Sequence, residues 1–321
     1  MEKKYSIRAV LDEKTRIDMF LREHSDITRS QIKNLVKKGC VYINGTIIQA
    51  PSSGVRHGDL VEYIKELPDN CRVQREDIPV EIIYEDENIF AVNKQPGIVV
   101  HPAPGHFSGT LVNALYGTYF KPENFIGGGA RLGIVHRLDK DTSGIMIAAK
   151  NTAAREKMAE LFKEKKINKT YMCIAHGKIE NESFINTYIS RDENDRKKYK
   201  AAGPGGKEAQ TIVYPVKQFS GAVLLEVKIL TGRTHQIRVH LQYIKNEIIG
   251  DPVYGSKSKD LHILERMGYD KVSLKDIFPR QMLHAGKLEF DHPFTGKPVM
   301  LETEPPADIK SVIANFEKRL A

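Results

Sequence analysis

The chain contains no tryptophan, and only 8% of its residues are aromatic. Three of its 321 residues are cysteines: Cys40, Cys71 and Cys173. They lie far apart and make no CxxC pair, which excludes a zinc-type cysteine cluster. An odd, scattered set also argues against a disulfide framework. A reducing compartment, the cytoplasm, is therefore expected. No uninterrupted apolar run approaches the ~20 residues of a membrane-spanning helix. The opening residues, Met1 to Ser6, carry no apolar stretch, so no secretory leader is expected. Signatures of the HExxH and GxGxxG kind are missing too. Gly127-Gly128-Gly129 has neither that spacing nor a GK[ST] ending and reads as a flexible loop. There is no repeat of fixed period and no low-complexity tract.

What the chain does have is positive charge. Forty-nine Lys and Arg against 41 Asp and Glu leave a net charge of +8 and a pI near 9.1. Such a balance favours a polyanionic partner, most simply nucleic acid. A hydrophobic share of 40% and a charged share of 28% are ordinary for a soluble protein. The length allows two domains with ample core.

The first part of the chain reads as a compact module. Ile17, Phe20 and Leu21 follow the i, i+3, i+4 spacing of an amphipathic helix. Thr28 is placed to cap a second helix with Ile32, Leu35 and Val36 on its apolar face. Gly39 ends that helix. Val41 to Ile48 predicts a hairpin turning at Asn44-Gly45. Gly58-Asp59 marks a further turn before a short strand, Leu60 to Ile64. On the second helix Arg29, Lys33 and Lys37 recur at i, i+4, i+8, a cationic stripe opposite the apolar side. The stripe suits a phosphate backbone or, equally, a solvated face.

Pro68 to Asp77 is polar and irregular and reads as a linker. The expected domains are thus 1–75 and 76–321. Beyond Pro79 short apolar runs alternate with turns: Val80 to Ile83, Ile89 to Val92, Ile98 to Val100, Gly144 to Ala149, Thr170 to Ile174 and Val223 to Ile229. They predict a sizeable mixed or antiparallel sheet. Helical spacing interrupts it near Leu111 to Tyr116, Ala153 to Lys165 and His235 to Ile244. The expected fold class is α+β. Asn194 to Lys200 reads as a mobile basic loop able to clamp RNA, or simply as a soluble surface.

Three segments mix polar and apolar residues in ways that a plain core does not require. The first is His136-Arg137-Leu138-Asp139-Lys140-Asp141-Thr142-Ser143-Gly144, wedged between Ile134-Val135 and Ile145-Met146-Ile147. An unpaired buried charge is costly, so a carboxylate here, beside an arginine, suggests a nucleophile or base. The second is Asn168 to Cys173, where Tyr171 is a stacking platform or acid–base group. The third is Leu230 to His240, where a strand ends at a glycine and feeds a helix. Arg233 at that corner is placed to reach a buried carboxylate bidentately. His235 and His240 diverge by about 140° on a helix, so they do not share a metal, and no metal site is expected. His101, His106 and His284 read mainly as structural.

These segments resemble a known family. His136 to Asp139 with Thr142-Ser143-Gly144, Lys169-Thr170-Tyr171, and Thr231 to Arg238 are similar to the three signature motifs of the RluA family of RNA pseudouridine synthases. Further similarity runs through Glu85-Asp86, Asn93-Lys94, His101-Pro102, Gly250-Asp251-Pro252, Tyr254-Gly255 and Leu283-His284-Ala285. It spans about residues 80 to 305. One departure is Gln95, which displaces the proline usually found directly after the lysine. The helix–helix–hairpin order ahead of it resembles the S4 RNA-binding domain.

The resemblance implies that the C1′–N1 bond of a uridine is broken, the uracil turned and rejoined through C5, with no cofactor. It implies that Asp139 is the essential carboxylate, attacking C1′ or abstracting the C2′ proton. Arg233 would pair with Asp139 and Tyr171 would stack on the base and take the C5 proton. Ile237 would give an apolar wall, and Arg137 would fill the space of the extruded uridine. The implied partner is RNA, large-subunit ribosomal RNA first and transfer RNA next. The sequence is silent on oligomeric state, and a monomer is the default expectation. The alternatives are a non-catalytic RNA-binding or ribosome-associated factor, and a nucleosidase that releases free uracil.

Overall fold

The computed structural model describes residues 2–37, 39–66, 73–102, 108–125, 132–195, 198–269 and 272–319. The predicted Gly127–Gly129 loop, His106, Cys71, residues 68–72 of the predicted linker, and Arg196 and Lys197 lie outside these residues. The chain divides into two compact units, Met1–Arg72 and Val73–Ala321.

In chain order the first unit holds β1 (Glu2–Arg8), β2 (Thr15–Arg16), α1 (Ile17–His24), α2 (Arg29–Lys37), β3 (Val41–Ile43), β4 (Thr46–Ile47), β5 (Gly54–Val55) and β6 (Leu60–Glu66). A four-stranded antiparallel sheet has the order β1-β6-β3-β4. Thr28 starts α2 with a capping box: its Oγ1 accepts from the Gln31 amide, and its own amide donates to Gln31 Oε1. Gly39, at φ +68°, closes the helix with its amide on the Val36 carbonyl. Asn44 and Gly45 both take positive φ, 50° and 78°, as the two-residue hairpin between β3 and β4 requires. Ile17, Phe20, Leu21, Ile32, Val36 and Val41 form the core. Nothing in the sequence signalled β1, whose seven residues are held by pairing with β6.

The second unit continues with β7 (Glu81–Glu85), β8 (Ile89–Lys94), α3 (Leu111–Leu115), β9 (Ser143–Ala149), α4 (Thr152–Lys163), β10 (Asn168–His176), β11 (Ser183–Arg191), β12 (Tyr199–Ala202), β13 (Lys207–Phe219) and β14 (Ala222–Ile229). It closes with α5 (Gln236–Tyr243), α6 (Lys257–Arg266), α7 (Leu274–Ile277), β15 (Leu283–Asp291), β16 (Pro298–Glu302) and α8 (Ala307–Arg319). Ten strands form one sheet in the order β12-β11-β13-β14-β10-β15-β9-β8-β7, with β16 added to β15. Every pairing is antiparallel except β15 with β9. All seven residues of β9 are buried, which explains its unbroken apolar run.

Two predicted elements differ. Ile98 to Val100 forms no strand. Gly97, at φ +87°, turns the chain out of β8, and Val99 keeps only an isolated bridge to Thr110. The helix predicted over His235 to Ile244 is α5 and starts at Gln236, because His235 adopts a left-handed φ of 57°. One close approach fixes the segment of interest. Gly144, at φ +116°, lies against Ala285, whose carbonyl oxygen would stand 2.2 Å from any Cβ. Only glycine permits that contact, and it seats the loop preceding β9 over the sheet.

Candidate active site

The loop before β9, the C-terminal part of α4, β10, and the turn into α5 enclose a cavity of about 460 Å³. Asp139 stands on its wall with a side chain 18% exposed. Its Oδ2 accepts a 2.9 Å hydrogen bond from Arg238 Nη1. The rest of that guanidinium grips Asp251, with Nε on Oδ2 at 2.6 Å and Nη2 on Oδ1 at 2.8 Å. Asp251 is fully buried and also accepts the amides of Val253 and Tyr254. The Tyr254 ring lies under the guanidinium, 4.9 Å away. Burial disfavours the Arg238 charge, but Asp251 and then Asp139 outweigh it and hold its pKa above the ordinary value.

This geometry corrects the sequence reading. Asp139 is paired with Arg238, not Arg233. Arg233 sits in the turn ahead of α5, where its Nε donates to the Glu208 carbonyl and its amide to Gln236 Oε1. Arg238, on the first turns of α5, faces both carboxylates. The signal was available: Arg238 lies between Ile237 and Val239 on a buried helix, and a buried cation needs anionic partners.

The other predicted residues fall as follows. Tyr171 on β10 and Ile237 on α5 are buried and line the cavity, together with half-buried Arg233 and exposed Arg137. Burial, and then Asp139, push the Tyr171 phenol well above its usual range, so it stays protonated. Arg29, Lys33 and Lys37 belong to the other unit and are exposed along α2. His240 points away from the cavity, its ring between Thr187 and Thr211. His284 is buried between Ser143 and the Thr303 carbonyl.

Two buried cations that sequence reasoning assigned no role hold the loop of Asp139. Lys94 Nζ donates to the carbonyls of Lys140, Gln95 and Ile98 at 2.9–3.1 Å. Arg280 Nη1 donates to the carbonyls of Asp141 and Leu283, while Asp308 binds its Nε and Nη2. The two carbonyls that follow Asp139 are thus each fixed by a cation. On the other side of Asp139, His136 Nε2 accepts the Ile147 amide at 2.9 Å, and its ring stacks on Phe162. Burial, and then Lys169, lower the His136 pKa to about 3, so the ring is neutral.

A basic α+β protein with an arginine-bound carboxylate in a nucleoside-sized cavity defines the class of candidates. Comparison with known proteins makes it specific. The sequence matches the RNA pseudouridylate synthase family over residues 88–243 and the S4 domain over residues 15–61. It is 42% identical over 312 residues to an uncharacterized RNA pseudouridine synthase of Aquifex aeolicus, covering 95% of each chain. It is 38% identical over 286 residues to ribosomal large subunit pseudouridine synthase D of Zymomonas mobilis, covering 88% of each. Human RNA pseudouridylate synthase domain containing 1 shares the fold, with a TM-score of 0.56 and 24% identity over 77% of this chain and 90% of that one. The chain belongs to the RNA pseudouridine synthase family. It is an RNA-binding isomerase, an S4 domain followed by a pseudouridine synthase domain.

Proposed function

We propose that the protein isomerises uridines of large-subunit ribosomal RNA, with Asp139 as the essential carboxylate. The ribosomal target is supported by the similarity to relatives named for that RNA in Zymomonas mobilis and, at 35% identity, Escherichia coli. One observation carries the role of Asp139. Asp139 lines the cavity, its Oδ2 is occupied by Arg238, and its Oδ1 has His235 Nε2 no nearer than 3.7 Å. That oxygen has lone pairs for a sugar.

The reaction breaks C1′–N1 and forms C1′–C5; C5 loses a proton and the freed N1 takes one up, so the sum is an isomerisation. Asp139 adds to C1′ or takes the C2′ proton; both need an ionised carboxylate, and Arg238 favours that form. Tyr171 stacks on the uracil. Its raised pKa works against a role as base for the C5 proton. Ile237 walls the base, and Arg137 fills the gap that the uridine leaves in the RNA. Arg233, free of Asp139, turns its terminal nitrogens to a flanking phosphate. The α2 stripe of Arg29, Lys33 and Lys37 adds backbone affinity. The protein acts in the cytoplasm as a monomer without a cofactor; transfer RNA is the second substrate to test.

Mapping pseudouridines in ribosomal and transfer RNA from cells with and without the protein identifies the target. Asp139→Asn abolishes the modification and keeps RNA binding. Turnover by that variant removes Asp139 from its role, and free uracil among the products identifies a nucleosidase instead.

A further inference from the structure

His235 occupies an unusual place in this site. It is one of five non-glycine residues with positive φ among the described residues, and the only one of the five on the cavity wall. Its side chain is 19% exposed. A left-handed backbone is unfavourable for a residue with a Cβ, and such strain gathers where the aim of a side chain matters.

The ring is held by a chain of hydrogen bonds with one consistent direction. The Tyr199 amide donates to Tyr254 Oη at 2.8 Å. The Tyr254 hydroxyl must then place its own proton elsewhere, and His235 Nδ1 lies 2.8 Å away. Among the described residues the Tyr254 hydroxyl has no other acceptor within hydrogen-bond distance, which assigns Nδ1 as the acceptor and puts the proton of the neutral ring on Nε2. A charged imidazolium would donate from Nδ1 and leave the Tyr254 hydroxyl proton without an acceptor among the described residues. The charged and titratable groups facing the ring are Asp139 and Arg137 from the loop before β9, Arg238 from α5, Asp251 and Tyr254 from the segment after α5, and Tyr199 from β12. Burial dominates among them and lowers the His235 pKa, which agrees with the neutral form.

Nε2 stands 3.7 Å from Asp139 Oδ1. That is too long for a hydrogen bond and too short to hold a water between the two atoms. A shift of less than an ångström closes it. Tyr254 thus organises both partners of the carboxylate: Arg238 rests on its ring, and His235 hangs from its hydroxyl.

We propose that His235 is a positioning residue whose neutral Nε2–H closes onto Asp139 Oδ1 when a uridine fills the cavity. The carboxylate is then held by both oxygens, Oδ2 by a charged donor and Oδ1 by a neutral one. One lone pair of Oδ1 stays free for the sugar. A second cation at that point would draw too much charge from the anion and weaken it as nucleophile or base; a neutral donor orients it without that loss.

This inference rests on the reading of Asp139 given above, and the test separates the two. His235→Gly removes the ring at a position where glycine is the easiest residue for the backbone. With a ribosomal RNA substrate, kcat falls about tenfold or more while KM stays nearly constant, and the thermal midpoint does not drop. Added imidazole restores part of kcat. Added 1-methylimidazole, which can accept from Tyr254 but has no N–H to donate, does not. An equal response to the two azoles, whether rescue or none, overturns the proposal, as does a kcat within twofold of wild type. Asp139→Asn is assayed beside it. An inactive Asp139→Asn with an undisturbed His235→Gly sinks this inference alone. An active Asp139→Asn sinks the reading beneath it.

Discussion

Arg238 gives Asp139 only one of its nitrogens, Nη1, because Nε and Nη2 are already committed to Asp251. The guanidinium is therefore oriented before it meets Asp139. Asp251 fixes the plane of the fork, the amides of Val253 and Tyr254 fix Asp251, and the remaining N–H points at Asp139. A point charge cannot make three directed bonds to two carboxylates at once.

Arg238→Lys is accordingly expected to damage both folding and turnover. It leaves the fully buried Asp251 short of a partner, and removing one member of a buried charged network costs about 3–5 kcal/mol. Urea unfolding measures the first effect and single-turnover kinetics the second, where kcat falls at least about tenfold. Arg233→Lys keeps a cation at the cavity and disturbs neither carboxylate, so its effect appears mainly in KM. Equal losses of kcat in the two variants would contradict the pairing seen here.

How far the sequence disclosed this arrangement depended on the range of the interaction. Local signals served well. The Thr28 cap, the Asn44-Gly45 hairpin and the apolar run of β9 are each written within a few residues, and the elements formed where the pattern placed them. Interactions between distant residues were hidden. Arg280 reaches Asp141 across 139 positions and Lys94 reaches Lys140 across 46; no spacing rule connects them. Arg238, rather than Arg233, was hidden as the partner of Asp139 for the same reason. Both lie in one motif, and only the return of Asp251 to the helix decides which is buried. β1 was missed because its Glu and Lys residues hide the alternation of Tyr5 and Ile7.

The cationic stripe of α2 makes a graded prediction. Lys33 and Lys37 have no carboxylate within ion-pair distance among the described residues, whereas Arg29 approaches Asp18, 3.5 Å away, which is already bound to Arg16 at 2.9 Å. Lys33 and Lys37 are thus the freer cations and, under the proposed role, the better placed for phosphate. Replacing all three by alanine should reduce the salt slope of RNA binding by roughly 2, with most of that reproduced by Lys33→Ala/Lys37→Ala. Filter-binding titrations across salt concentrations give the slope directly. A slope that stays at the wild-type value would show that the stripe faces only water.

Lys94 supplies a pH signature for the anchor of the loop that carries Asp139. It is 1% exposed, and its three partners are neutral carbonyls. Burial lowers its pKa from 10.5 to about 7; Asp141 and Asp139 oppose the shift, and Arg280 adds to it. Between those two pKa values the unfolded chain binds a proton that the folded chain does not. Folding stability therefore rises with pH across that window, by about 1.4 kcal/mol per pH unit. It is greatest above the unfolded pKa and falls away as the pH drops toward 7. Lys94→Met removes the titrating group while filling much the same volume. The stability of the wild type minus that of the variant, measured by urea unfolding at a series of pH values, should climb through the window and level off outside it. A difference that stays flat would mean that the three carbonyls stabilise the ammonium in the fold as well as water does in the open chain.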